Sequence, residues 1–108
     1  NIVDIHAIRP LRDHTAYGAA KAGLAFLTRA LARDLAPDIR VNGVAPGAIL
    51  WPEGGVSGSM ADTVLRQIPL KRLGEPADIA GCVLYLVRDA TYVTGQIIAV
   101  DGGRSAGW

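Results

Sequence analysis

Cysteine is almost missing from this chain: Cys82 stands alone among 108 residues. An internal disulfide is therefore excluded, and with no metal-ligand companion at a useful spacing Cys82 reads as a packed core thiol. No metal site is expected. Aromatic residues make up only 6% of the chain, so small and aliphatic side chains have to build its core. No window approaches the ~18 consecutive apolar residues of a membrane-spanning helix, and no charged-then-apolar N-terminal segment resembles a signal peptide. Charge of one sign is lacking as well. The 11 basic and 10 acidic residues leave a net charge of +1 and are scattered without runs. Neither nucleic acid nor an anionic membrane is expected as a partner, and a cytoplasmic location is the default expectation. An initiator methionine is missing too: the chain starts at Asn1, inside what reads as a strand, so part of a longer protein is expected.

What is present is globular in composition, half hydrophobic and rich in Ala and Gly, with room for one domain at most. Asn1 to Ile5 is apolar and β-branched, a buried strand running into a loop with His6, Pro10 and Asp13. From Thr15 to about Leu35, Ala20, Leu24, Leu27, Leu31 and Leu35 recur at helical steps, with Thr15 as N-cap and Pro37 as stop. A second strand is expected from Ile39 to Ala45, ended by Pro46-Gly47. A Gly-, Ser- and Pro-rich stretch then carries Leu50 and Trp51, and Ser59 opens a short helix up to Gln67. Pro76 sits where a first helical residue is favoured, with Ile79, Val83 and Leu86 as the apolar face behind it. Gln96 to Val100 reads as a third strand, after a turn at Thr94-Gly95 and before Asp101-Gly102-Gly103.

Three strands alternating with helices predict an α/β fold: the C-terminal part of a doubly wound parallel sheet, covered on both faces. Three strands alone leave edges and helix faces bare. A larger sheet is therefore expected, whose N-terminal half is absent from these residues and lies on the same or a companion chain.

Tyr17 and Lys21, four residues apart, share one helix face, with Cβ atoms ~5–6 Å apart. A phenol of pKa about 10 needs a nearby cation to become a useful acid-base group near neutrality. Lys21 is placed to supply it. Alone the pair is weak evidence, because ordinary solvated helices carry it as well. Its surroundings add more. The pair follows a strand and loop, then comes "RVNGVAPG" at the end of the next strand and "VTGQIIAVDGG" near the C-terminus.

In that order these residues closely resemble the C-terminal half of the short-chain dehydrogenase/reductase family, over essentially all 108 positions. The resemblance implies a nicotinamide-dependent oxidoreductase on a Rossmann fold, with residues 1–108 as the catalytic and substrate-binding half of one domain. Tyr17 would be the catalytic acid. Lys21 would bind the nicotinamide ribose and depress the tyrosine pKa. Pro46, Gly47 and Ile49 would line the nicotinamide pocket, where a glycine lets backbone approach the ring. A plain strand-ending turn is the other reading of Pro46-Gly47.

The departure is at position 4. Most of the family carry serine about thirteen residues before the tyrosine; here it is Asp4. A carboxylate is a poor replacement for serine in polarising a ketone, and its charge opposes phenolate formation. It suits a heteroaromatic C=N whose ring N–H and amino donors it can accept. Asp4 together with "PGAILWPE" resembles the pteridine reductase branch, which implies NADPH-dependent reduction of a dihydropterin or dihydrofolate, NADH not being excluded. There Asp4 would work with Tyr17 in proton delivery, and Leu50 and Trp51 would lie on the substrate side. Loop packing or a subunit contact is the other reading of Leu50 and Trp51.

Two further readings stand beside this one: a carbonyl reductase, such as one acting on 3-oxoacyl thioesters, and a non-catalytic truncated oligomerisation module. His6 and His14 flank the active-site loop and read as surface or loop-packing residues. The family also implies a homo-oligomer, tetramer or dimer. Its glycine-rich phosphate loop is not among these residues, so weak cofactor binding by this chain alone is expected.

Overall fold

The computed structural model describes residues 1–49 and 59–107. Two strands pair in parallel, β1 (Gly43–Pro46) and β2 (Ile97–Val100), in the register Gly43 to Ile97 through Pro46 to Val100. The N-terminal segment joins the other edge of β1 through a single parallel bridge, Ile2 to Val44. The amide of Val3 donates to the Val44 carbonyl at 2.7 Å, and that of Val44 to the Asn1 carbonyl at 2.9 Å. Three parallel segments therefore lie side by side as expected, but only two are strands. The first is cut short because Asp4 accepts from the amide of His6 and caps a 3₁₀ turn at Ile5–Ala7.

Helix α1 (Thr15–Asp34) packs on one face of this sheet, and α3 (Pro76–Arg88) on the other. Successive strand residues point to opposite faces. Ala45 and Ile97 thus join Val3, Ile5 and Ala25 under α1. Val44, Ile98 and Val100 join Ile79, Val83 and Leu86 under α3. Cys82 belongs to that second cluster, and burial pushes its thiol pKa up, as fits a packed core thiol. Parallel strands covered on both faces are the arrangement expected of a doubly wound fold.

Two details of α1 differ from the sequence-based expectation. The residues it buries are Ala25, Thr28 and Ala32, whereas Leu27 is 47% exposed. Small side chains let the helix approach the sheet; of the leucine stripe, Leu24 packs on that core while Leu27 and Leu35 are turned outward. Thr28 is completely buried and fully bonded: it donates to the Leu24 carbonyl at 2.8 Å and accepts from Asn1 Nδ2 at 2.9 Å. Thr15 is the first helical residue rather than the cap; that place falls to His14, which makes no side-chain capping bond.

Helix α2 (Ser59–Arg66) leads to Ile68, which is buried. Ile49 bridges Gly74 in parallel, and the Gly74 amide donates to the Ala48 carbonyl at 2.9 Å. Both ends of the stretch between them are thereby held at one point beside the sheet. Among the described residues no helix is long and apolar enough to cross a membrane.

Candidate active site

The loop from the first strand segment to α1 brings three side chains together. Asp4 is extended, and its two carboxylate oxygens have separate partners. Oδ1 accepts from the His6 amide at 2.8 Å, and Oδ2 accepts from the Tyr17 hydroxyl at 2.5 Å. The carboxylate is thus fixed from behind by backbone and presented to the phenol. Tyr17 remains 42% exposed, open to a ligand.

Lys21 lies one turn further along α1. Its Nζ donates to the Ile2 carbonyl at 3.1 Å and sits 5.9 Å from the Tyr17 ring centroid. The helical spacing therefore does gather Tyr17 and Lys21, but the ammonium is over the ring rather than on the hydroxyl. The hydrogen bond to Asp4, with burial and the carboxylate charge adding to it, pushes the Tyr17 pKa up to about 12. The lowering expected from Lys21 is outweighed in this arrangement: the carboxylate touches the hydroxyl and the cation does not.

Pro46 closes β1, and Gly47 and Ile49 follow at the carboxyl end of the sheet, where open α/β folds bind ligands. Carried forward along the register of Ile2 and Val44, Asp4 falls level with Pro46. The Gly47 amide donates to the Val100 carbonyl at 3.0 Å. A Cβ at Gly47 would lie 2.6 Å from Asp101 Cβ, so the close approach that demands glycine here is to the adjacent strand end. Asp101 is itself fixed, accepting from the amides of Gly103 at 2.9 Å and Ser105 at 2.8 Å. Burial works against its ionisation, but the Ser105 and Gly103 bonds outweigh burial and lower its pKa. The side chain of Ile49 leans on Gly74, which leaves its backbone as the part available to a ligand. Leu50 and Trp51 lie outside the described residues.

A nicotinamide nucleoside suits these groups. An ammonium has three donors, and Lys21 uses one on Ile2, leaving others for ribose hydroxyls. Sequence reasoning missed three contributors: the Ile2 carbonyl that orients Lys21, Asp101 behind Gly47, and His14. The His14 ring meets that of Tyr17 edge-on at 6.2 Å between centroids and an interplanar angle of 82°. Only the three-residue step from His14 to Tyr17 could have signalled this pairing.

A parallel sheet with helices on both faces, a phenol and an ammonium on one helix turn, and a Pro-Gly strand end beside them make up a Rossmann-type arrangement. Comparison with known proteins agrees. A family model described as enoyl-(acyl carrier protein) reductase matches residues 1–105. The chain is 42% identical over 104 residues to carbonyl reductase family member 4 of Danio rerio, covering 95% of this chain and 43% of that one. It is 50% identical over 90 residues to the 3-oxoacyl-[acyl-carrier-protein] reductase FabG of Staphylococcus epidermidis, covering 81% of this chain and 37% of that one. The structure of a 7α-hydroxysteroid dehydrogenase complexed with NADH and 7-oxo glycochenodeoxycholic acid superposes with a TM-score of 0.88 at 39% identity, over 94% of this chain and 42% of that one. The chain belongs to the short-chain dehydrogenase/reductase family. It spans well under half the length of these relatives.

Proposed function

We propose that this chain is the catalytic and substrate-binding half of an NAD(P)H-dependent reductase in which Tyr17 and Asp4 together deliver a proton. The observation that carries the proposal is the Tyr17 hydroxyl donating to Asp4 Oδ2 at 2.5 Å. NADPH or NADH, when bound, supplies the hydride. Lys21 holds the ribose and Pro46, Gly47 and Ile49 flank the nicotinamide, with Ile49 acting through its backbone. Tyr17, protonated and exposed, gives its proton to the substrate atom that gains charge as hydride arrives. Asp4 fixes the direction of that hydroxyl and keeps it protonated beforehand, and Lys21 stabilises the phenolate afterwards. The exposed Phe26 and Val87, 73% and 70% accessible, suit a homo-oligomer.

The substrate class has two readings, each with its own support. The names of the relatives back a carbonyl substrate, such as a 3-oxoacyl thioester, better than they back a pterin. The chemistry at position 4 favours the C=N of a dihydropterin or dihydrofolate. A carboxylate already bound to two donors still has lone pairs for ring N–H and amino groups, but no proton of its own for a ketone oxygen. Coenzyme oxidation by the full-length protein with dihydrobiopterin, dihydrofolate and a 3-oxoacyl thioester separates them. Turnover of the thioester alone rejects the pterin reading, and turnover of a pterin alone rejects the carbonyl one. Asp4→Ser is expected to damage pterin reduction, whereas on a carbonyl substrate it is neutral or helpful. If none of the three is turned over, the non-catalytic module becomes the better account.

A further inference from the structure

We propose that His14 is a positioning residue for Tyr17, holding the phenol ring at the angle from which its hydroxyl meets Asp4. The inference rests on the role proposed for Tyr17 as proton donor.

Three observations converge on it. First, the imidazole is tied down. His14 Nδ1 lies 2.8 Å from the Arg12 carbonyl oxygen, and since a carbonyl only accepts, Nδ1 carries the hydrogen. Second, the tied ring meets Tyr17 edge-on, at 6.2 Å and 82°, inside the range where perpendicular aromatic pairs attract. Third, the backbone is bent to put it there. Asp13 has φ of 63°, a left-handed conformation, and His14 itself departs from helical values at φ −126°, ψ 41°. Hydrogen bonds hold this bend on both sides: the His14 amide donates to the Leu11 carbonyl at 3.2 Å, and the Gly18 amide donates to the His14 carbonyl at 2.8 Å.

Helix capping does not account for the residue. Position 14 is the N-cap of α1, where Ser, Thr, Asp or Asn is favoured, and His14 makes no capping bond. Its ring instead meets the ring of Tyr17, whose hydroxyl is bonded to Asp4 and whose other close charged neighbour is Lys21. A phenol 42% exposed has room to rotate away from Asp4 unless something braces it. His14 is that brace.

The test uses the full-length protein with His14→Ala, which removes the ring, and His14→Phe, which keeps an aromatic edge. Two readouts are taken: steady-state kinetics, and an ultraviolet titration of the Tyr17 phenol obtained by difference against Tyr17→Phe. His14→Ala is expected to lower kcat ~10-fold or more through misplacement of the reacting group, with the KM for coenzyme unchanged. It should also bring the phenol midpoint down towards that of an ordinary tyrosine. His14→Phe is expected to restore most of both. An unchanged midpoint in His14→Ala overturns the proposal, as does a His14→Phe variant as impaired as His14→Ala. If the wild-type protein reduces none of the substrates, the proposed function fails, and the titration alone decides the role of His14.

Discussion

At Tyr17 two side chains of opposite charge compete for one phenol. Asp4 bonds its hydroxyl and Lys21 sits over its ring, and the pKa goes up to about 12. The folded-state value lies above the unfolded one of about 10, so folding holds the proton more tightly. The stabilisation is complete below pH ~10 and is lost as pH rises from there through about 12. Replacing Asp4 by Asn removes the charge, so the phenol midpoint is expected to fall towards the ordinary value in an ultraviolet titration. A midpoint that stays near 12 would mean that Asp4 is not the cause. Gly47→Ala is expected to cost stability and raise the KM for coenzyme, because its Cβ would sit 2.6 Å from Asp101 Cβ; unaltered melting and KM would count against that close contact. Helical spacing paired Tyr17 with Lys21, and the family resemblance singled out Asp4; all three belong to one loop and the helix it enters. Asp101 and Ile2 were not legible, because their contacts depend on how separate segments register in the sheet.

Among the elements, α3 shows how its ends are fixed. Asp78 in its first turn accepts from the Glu75 amide at 2.8 Å and pairs with Arg72 at 2.8 Å. The bond from Arg72, then that from the Glu75 amide, lowers the Asp78 pKa to about 2. Here the sign is the reverse of Tyr17. The contribution is present above pH ~4 and is lost as pH falls from there through about 2. Asp78→Asn is expected to lower the melting temperature at neutral pH and to converge with wild type at the acid end; parallel curves across that range would refute it. At the other end, the Arg40 guanidinium donates to the carbonyls of Leu86, Ala90 and Val93 through Nη1 and of Val87 through Nη2. Arg40→Ala strips these partners at once and is expected to cost about 2 kcal/mol in denaturant unfolding. Pro76 and the spacing of Ile79, Val83 and Leu86 made this helix readable. The packing of α1 was less so: its leucines recur at the helical period, yet Ala25, Thr28 and Ala32 are the residues it buries, and of the leucines Leu24 joins that core while Leu27 and Leu35 stay exposed. Periodicity marks an apolar stripe, but which neighbour covers that stripe is settled by how closely the elements can approach.

For the whole molecule, strand-helix alternation was enough to predict the doubly wound class. It overstated the strands, because the first segment passes from a single bridge with β1 straight into the 3₁₀ turn that Asp4 caps. The groups gathered here are those proposed for a nicotinamide and a substrate, and among the described residues none forms a glycine-rich loop for a diphosphate. Calorimetric titration of the isolated chain with NADPH is therefore expected to show binding weaker than micromolar; sub-micromolar binding would contradict this. The clasp of Ile49 and Ala48 on Gly74 has a consequence of another kind. It closes a ring of chain whose two ends meet regardless of what lies between, and ring closure costs only ~0.6 kcal/mol for each doubling of length. Changes of length and composition inside the ring that keep Gln67 to Leu70, which pack on Gly102 and Gly103 and bond Arg104, then come at little thermodynamic cost and leave the sheet, Tyr17 and Lys21 undisturbed. Divergence within the ring can in this way accumulate without displacing Tyr17 and Lys21, the groups proposed for proton delivery and ribose binding.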